Sequence, residues 1–128
     1  MANFDEAIQK ILDNEGGYVN DPDDAGGETY MGISRKAHPT SNIWYHIDKV
    51  TKKYTKVSDI NNELKKNNSL TKEIKEIYRV NYWKPFDLDS YTSQRLANQI
   101  FDNAVNRGVS ATKRMIQRVK NEMASIKK

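Results

Sequence analysis

The sequence predicts a mainly α-helical, α+β domain with a small irregular β-hairpin after the first helix. Apolar residues recur at helical spacing along most of the 128-residue chain. Residues 17–33 break that rhythm with a glycine-rich segment flanked by two short strand-forming pairs, Tyr18-Val19 and Thr29-Tyr30. A chain this long is expected to form one domain, residues 1–128, around a single core. It carries no internal repeat and no low-complexity linker.

The elements follow in order. Phe4, Ala7, Ile8, Ile11 and Leu12 share one helical face, so a helix is expected from about 3 to 15, with Asn3 as N-cap and Gly16-Gly17 as its stop. Ser34 is placed to cap a short turn ending before Pro39. Ile43, Trp44, Ile47, Val50 and Tyr54 form a helical stripe. Ser58-Asp59 opens a short helix with Ile60 and Leu64, which ends in the polar run 65–69. A further helix is expected from about 71 to 83, with Ile74, Ile77, Tyr78 and Tyr82 on one side and Pro85 at its end. Leu96, Ala97, Ile100, Phe101, Ala104 and Val105 give the next helix a broad buried face, with Gly108 closing it. Ser110 is placed to cap a last helix carrying Met115, Ile116, Val119, Met123 and Ile126.

Composition narrows the chemistry. Cysteine is absent, which removes disulfides and thiolate sites and suits a protein made in the cytosol. No apolar run reaches membrane-spanning length and no basic-plus-apolar leader opens the chain, so neither membrane insertion nor signal-peptide export is expected. Two histidines give no zinc pattern, and no glycine-rich phosphate motif is present, so neither metal nor cofactor is expected. The net charge of +4 hides an asymmetry: residues 1–48 hold 3 basic and 9 acidic groups, residues 49–128 hold 18 and 8. Such a basic surface suits an anionic polymer, though without the interleaved aromatic and basic residues of a nucleic-acid binder.

Glu15 is the first candidate for chemistry. It follows Ile11 by four residues and Ile8 by seven, so it shares their face at the end of the first helix. A carboxyl there is partly withdrawn from water at the negative end of the helix dipole, the setting in which a general acid keeps its proton. Asp21, Asp23 and Asp24 follow in a flexible loop with Pro22, Gly26 and Gly27. A calcium loop would need a ligand at Ala25 and a glutamate at Gly32, so calcium does not fit. The loop alone reads as a solvated acidic turn; with Glu15 before it, the stretch has the layout of a two-carboxylate site.

Glu15-Gly16-Gly17-Tyr18, then Asp21-Pro22-x-Asp24-x-Gly26-Gly27, then Thr29-x-x-Gly32-Ile33, resembles the start of the N-acetylmuramidases of glycoside hydrolase family 108, lysozymes common among phage endolysins. A second block, Ile77-Tyr78, Tyr82-Trp83-Lys84-Pro85 and Phe101-Asp102-Asn103-Ala104-Val105-Asn106-Arg107-Gly108, resembles the family's later segments. The resemblance implies a lysozyme-like fold, with residues from about 77 similar to the start of the family's peptidoglycan-associated region. It implies that Glu15 is the catalytic acid, with Asp24 and Thr29 at motif positions. The spacing from Glu15 to Asp24 is also similar to that in phage-type lysozymes. Family members usually run on into a longer C-terminal region, whereas this sequence stops after one further helix.

The expected activity is then cleavage of the β-1,4 bond between N-acetylmuramic acid and N-acetylglucosamine in bacterial peptidoglycan. Asp24 would hold the attacking water or stabilise positive charge on the sugar ring; Asp21 and Asp23 are alternatives for that role. Thr29 would help to position the water, or is simply a strand hydroxyl with a local partner. Tyr18, Tyr30, Tyr82 and Trp83 are candidates for contact with sugar, Asn103 and Asn106 for hydrogen bonds to N-acetyl groups; the competing reading is a core aromatic for Tyr82 and Trp83 and a structural amide for Asn103 and Asn106. Asp102 reads as structural. The partner expected is the glycan strand, reached by a monomer after holin-type or other release that bypasses signal-peptide export. A non-catalytic peptidoglycan-binding module is the alternative. A basic helical interaction protein is a third, but it leaves residues 15–33 without a reason.

Overall fold

The computed structural model describes residues 1–23 and 27–126. Their architecture is mainly helical, with a three-stranded antiparallel sheet after the first helix, the class expected from the sequence. The chain divides into two compact units, residues 10–77 and residues 1–9 with 78–128. No helix among the described residues is long and apolar enough to cross a membrane.

Helix α1 spans Phe4–Asn14. Asn3 caps it as expected, its side-chain oxygen accepting the Glu6 N–H at 3.1 Å. Ala7, Ile8 and Ile11 are buried. The helix stops one residue short of Glu15, whose N–H still donates to the Ile11 carbonyl at 3.0 Å.

In unit 10–77, β1 (Tyr18–Asn20), β2 (Glu28–Tyr30) and β3 (Ile33–Ser34) lie in that order in one sheet. The hairpin pairs Tyr18 with Tyr30 and Val19 with Thr29, the two pairs singled out by the sequence. Strand β3 was not expected. Tyr30 pairs with Ile33 across a two-residue loop, Met31-Gly32, with φ of 48° and 81°. Two positive φ values are what the tightest hairpin turns need, and Met31 in place of Asn or Asp hides the signal. Ser34 caps the turn after it, accepting the Ala37 N–H at 3.3 Å.

Helices α2 (Ile43–Lys53) and α3 (Val57–Lys65) bury Ile43, Trp44 and Ile47, and Ile60 and Leu64, respectively. Helix α4 spans Asn68–Tyr78, starting about three residues before the expected point. The polar run read as a break contains its cap: Asn67 Oδ1 accepts the Leu70 N–H at 3.1 Å. The expected helix to 83 continues in altered form, a π-helical turn over Arg79–Trp83 and a 3₁₀ turn over Lys84–Phe86, before Asp87 turns the chain at φ 51°.

In the other unit, α5 (Gln94–Arg107) is capped by Ser93 and ended by Gly108, at φ 92°. Its buried face is Ala97, Ile100, Phe101 and Ala104. Leu96, expected there too, is 46% exposed, because it lies beyond the edge of that stripe. Helix α6 spans Val109–Ile126, so the expected cap Ser110 lies inside its first turn. The Thr112 hydroxyl, fully buried, donates to the Gly108 carbonyl at 2.8 Å and ties α6 to the end of α5. The apolar side of α6 is exposed at Val119, Met123 and Ile126.

Candidate functional site

Glu15 lies half-buried in the bend between α1 and β1. The chain beyond it is held by α3: Asn61 Oδ1 accepts the Tyr18 N–H at 2.8 Å. Gly17 makes that approach possible, because a Cβ on it would stand 2.7 Å from Asn61 Cγ. Gly16 has open space around it.

Tyr18 is buried and tied at its other end as well, its hydroxyl donating to Glu28 Oε2. Burial, and after it the hydrogen bond to Glu28, pushes its phenol up to about 12. The other Glu28 oxygen takes a hydrogen bond from Arg35 Nη1 at 2.7 Å. Arg35 also grips Asp48 with both terminal nitrogens, at 2.9 and 2.6 Å, and lies 5.1 Å over the Trp44 ring. Those hydrogen bonds to Arg35 hold the Asp48 carboxyl below the usual carboxylate range. Tyr18, Glu28, Arg35 and Asp48 thus form one chain of polar contacts from β1 through β2 to α2.

Of the loop carboxylates, Asp21 accepts the Asp23 N–H at 2.9 Å, a local turn that leaves both exposed. Asp24 lies outside the described residues. Thr29 is half-buried on β2, between Val19 and Ser34. Tyr30 is 1% exposed, and burial raises its phenol. An open groove of about 710 Å³ runs beside β1, bordered by Val19, Asp21, Pro22, Tyr54 and Val57. Its lining includes Tyr18 and Asp21 but not Glu15.

The remaining candidates lie in the unit of residues 1–9 and 78–128. Tyr82 is half-buried, 5.9 Å from the Tyr78 ring. Trp83 is 1% exposed, with edge contacts to Phe4 and Phe101 and its indole N–H on Asp89 at 2.9 Å. Asn103 donates to the Thr112 hydroxyl at 2.8 Å, and Asn106 is exposed. Asn103 also lines a pocket of about 420 Å³ with Arg107, Arg114, Arg118, Gln117 and Asn121. Among the described residues none of those three arginines forms an ion pair.

Sequence reasoning missed Glu28, Arg35, Asp48 and Asn61. Glu28 lies inside the motif block, but nothing local marks it as a partner of Arg35, seven residues on. The available signal for Asn61 was the pair Asn61-Asn62, poor helix formers in the middle of a helix.

The family model of glycosyl hydrolase 108 matches residues 8–108. No curated protein and no solved structure matches the chain. The matched stretch runs from the middle of α1 through Glu15, the sheet and the Arg35 contacts to the glycine that ends α5, and the chain therefore belongs to glycosyl hydrolase family 108.

Proposed function

We propose that the protein is a peptidoglycan hydrolase of the lysozyme type, an N-acetylmuramidase cutting the β-1,4 bond between N-acetylmuramic acid and N-acetylglucosamine. The observation that carries this is Glu15, a half-buried carboxyl at the end of α1, within the span that matches the family. Its proton would go to the leaving glycosidic oxygen, the step that needs a positioned acid in either stereochemical variant of the reaction. Asp24 would hold the attacking water or stabilise positive charge on the sugar ring, with Thr29, on β2, aiding the water. Glu28 is unsuited to that second role, since Tyr18 occupies one of its oxygens and Arg35 the other. The glycan strand is the proposed partner of a monomer that acts at the cell wall, as phage endolysins do after release from the cytosol.

Glu15→Gln, nearly isosteric, should cost on the order of 10²–10⁴-fold in the rate of wall lysis while leaving the fold intact. Turbidity loss of a purified wall suspension reads this directly. A Gln variant that clears walls at wild-type speed removes Glu15 from the chemistry, whereas an unaltered protein that binds walls without clearing them favours a module that binds without cutting.

Asp24→Asn should lower turnover far more than Asp21→Asn or Asp23→Asn on one soluble substrate. A larger loss at either of the other two would transfer the role there.

Lysis of intact walls should weaken as salt rises, because residues 49–128 carry 18 basic against 8 acidic groups and attraction is screened over about 10 Å at 0.1 M. Cleavage of a short soluble muramyl oligosaccharide should change much less. Replacing Arg114 and Arg118 together by Gln should flatten the salt dependence on walls. Lysis that rises with salt in the unaltered protein would contradict an attachment role for this basic surface.

A further inference from the structure

We propose that Asn61, on α3, is a positioning residue for Glu15, acting through the Gly17-Tyr18 backbone; this rests on Glu15 as the catalytic acid. The last residues of a helix and the first beyond it lack the full set of backbone bonds, so an acid placed there is prone to fray. Glu15 is secured on one side by its own N–H on the Ile11 carbonyl at 3.0 Å. On the other side come two glycines, the residues with most backbone freedom. The first anchor after them is Asn61 Oδ1, which accepts the Tyr18 N–H at 2.8 Å. Only Gly16 and Gly17 therefore separate the catalytic carboxyl's residue from that anchor.

The two glycines differ in kind. Gly16 has nothing within 4 Å of where a Cβ would stand. At Gly17 a Cβ would fall 2.7 Å from Asn61 Cγ and 2.8 Å from its Nδ2. Neither has a positive φ; among the described residues the positive-φ glycines are Gly27, Gly32 and Gly108. Gly17 is thus required for the close approach of the Asn61 amide, not for an unusual backbone angle. Asparagine also weakens a helix relative to leucine or alanine. At position 61 that cost is offset by a bond to a segment 43 residues away in sequence, beside the buried Ile60 and Leu64.

The test measures kcat and KM on a soluble muramyl oligosaccharide, at a temperature where circular dichroism shows every variant folded. Asn61→Ala should lower kcat by about 10–100-fold, the scale of a roughly 1 Å misplacement of a catalytic group, with KM little changed. Asn61→Asp keeps an acceptor oxygen in the same place and should restore most of the rate. Gly17→Ala should be as damaging as Asn61→Ala, whereas the double variant should lose less than the two single losses combined, because truncating Asn61 makes room for the new Cβ. Full kcat in Asn61→Ala, an equal loss in Asn61→Asp, or strict additivity of the pair would overturn the proposal. Glu15→Gln in the same assay separates the two levels. If it is inactive while Asn61→Ala is fully active, only the positioning role fails; if it is active, the acid assignment fails and the positioning role with it.

Discussion

Tyr18 is held at both ends, and the geometry around the candidate acid depends on that. Its N–H is taken by Asn61 on α3, its hydroxyl by Glu28 on β2, and its backbone pairs with Tyr30. A β1 of three residues has too few ladder bonds to define its own position. The side-chain bonds at the two ends of Tyr18 supply what the ladder lacks. They fix the point at which the chain leaving α1 enters the sheet, and so bound the freedom of Glu15.

The same contacts divide the carboxylates of the acidic N-terminal stretch by task. Arg35 shares one guanidinium between Glu28 and Asp48, and the Trp44 ring lies beneath it. Those two acids are tied into structure. Glu15, Asp21 and Asp23 form no ion pair among the described residues. A hydrolase that cuts with a carboxyl needs this division, because an acid locked to arginine cannot deliver a proton. Tyr18 belongs to the tied set: its phenol, pushed up to about 12, stays a donor to Glu28 throughout the ordinary pH range.

Helical periodicity makes most elements legible in the sequence alone. The stripes of α1, α2, α3 and α5 lie where the spacing of Ile8, Ile47, Leu64 and Ile100 puts them, since burial of one face is a local, repeated signal. Strand β3 escaped because its turn uses Met31 at a positive φ. The start of α4 escaped because Asn67-Asn68-Ser69 reads equally as a loop or as a helix cap. The half-burial of Glu15 was legible from its place after Ile8 and Ile11. The grip of Asn61 on Tyr18 and of Arg35 on Asp48 was not, because each joins residues distant in sequence with no periodic trace.

Hydrolysis of a muramyl bond by this family 108 chain, with Glu15 as the acid, leaves a chemical signature in its products. The most direct measurement is the identity of the new reducing ends released from purified peptidoglycan, fixed by borohydride reduction and read by mass spectrometry. Reduced N-acetylmuramic acid is expected, with one water taken up per bond cut, and none from the Glu15→Gln protein. N-acetylglucosamine ends, or anhydro-sugar ends formed without water, would contradict it.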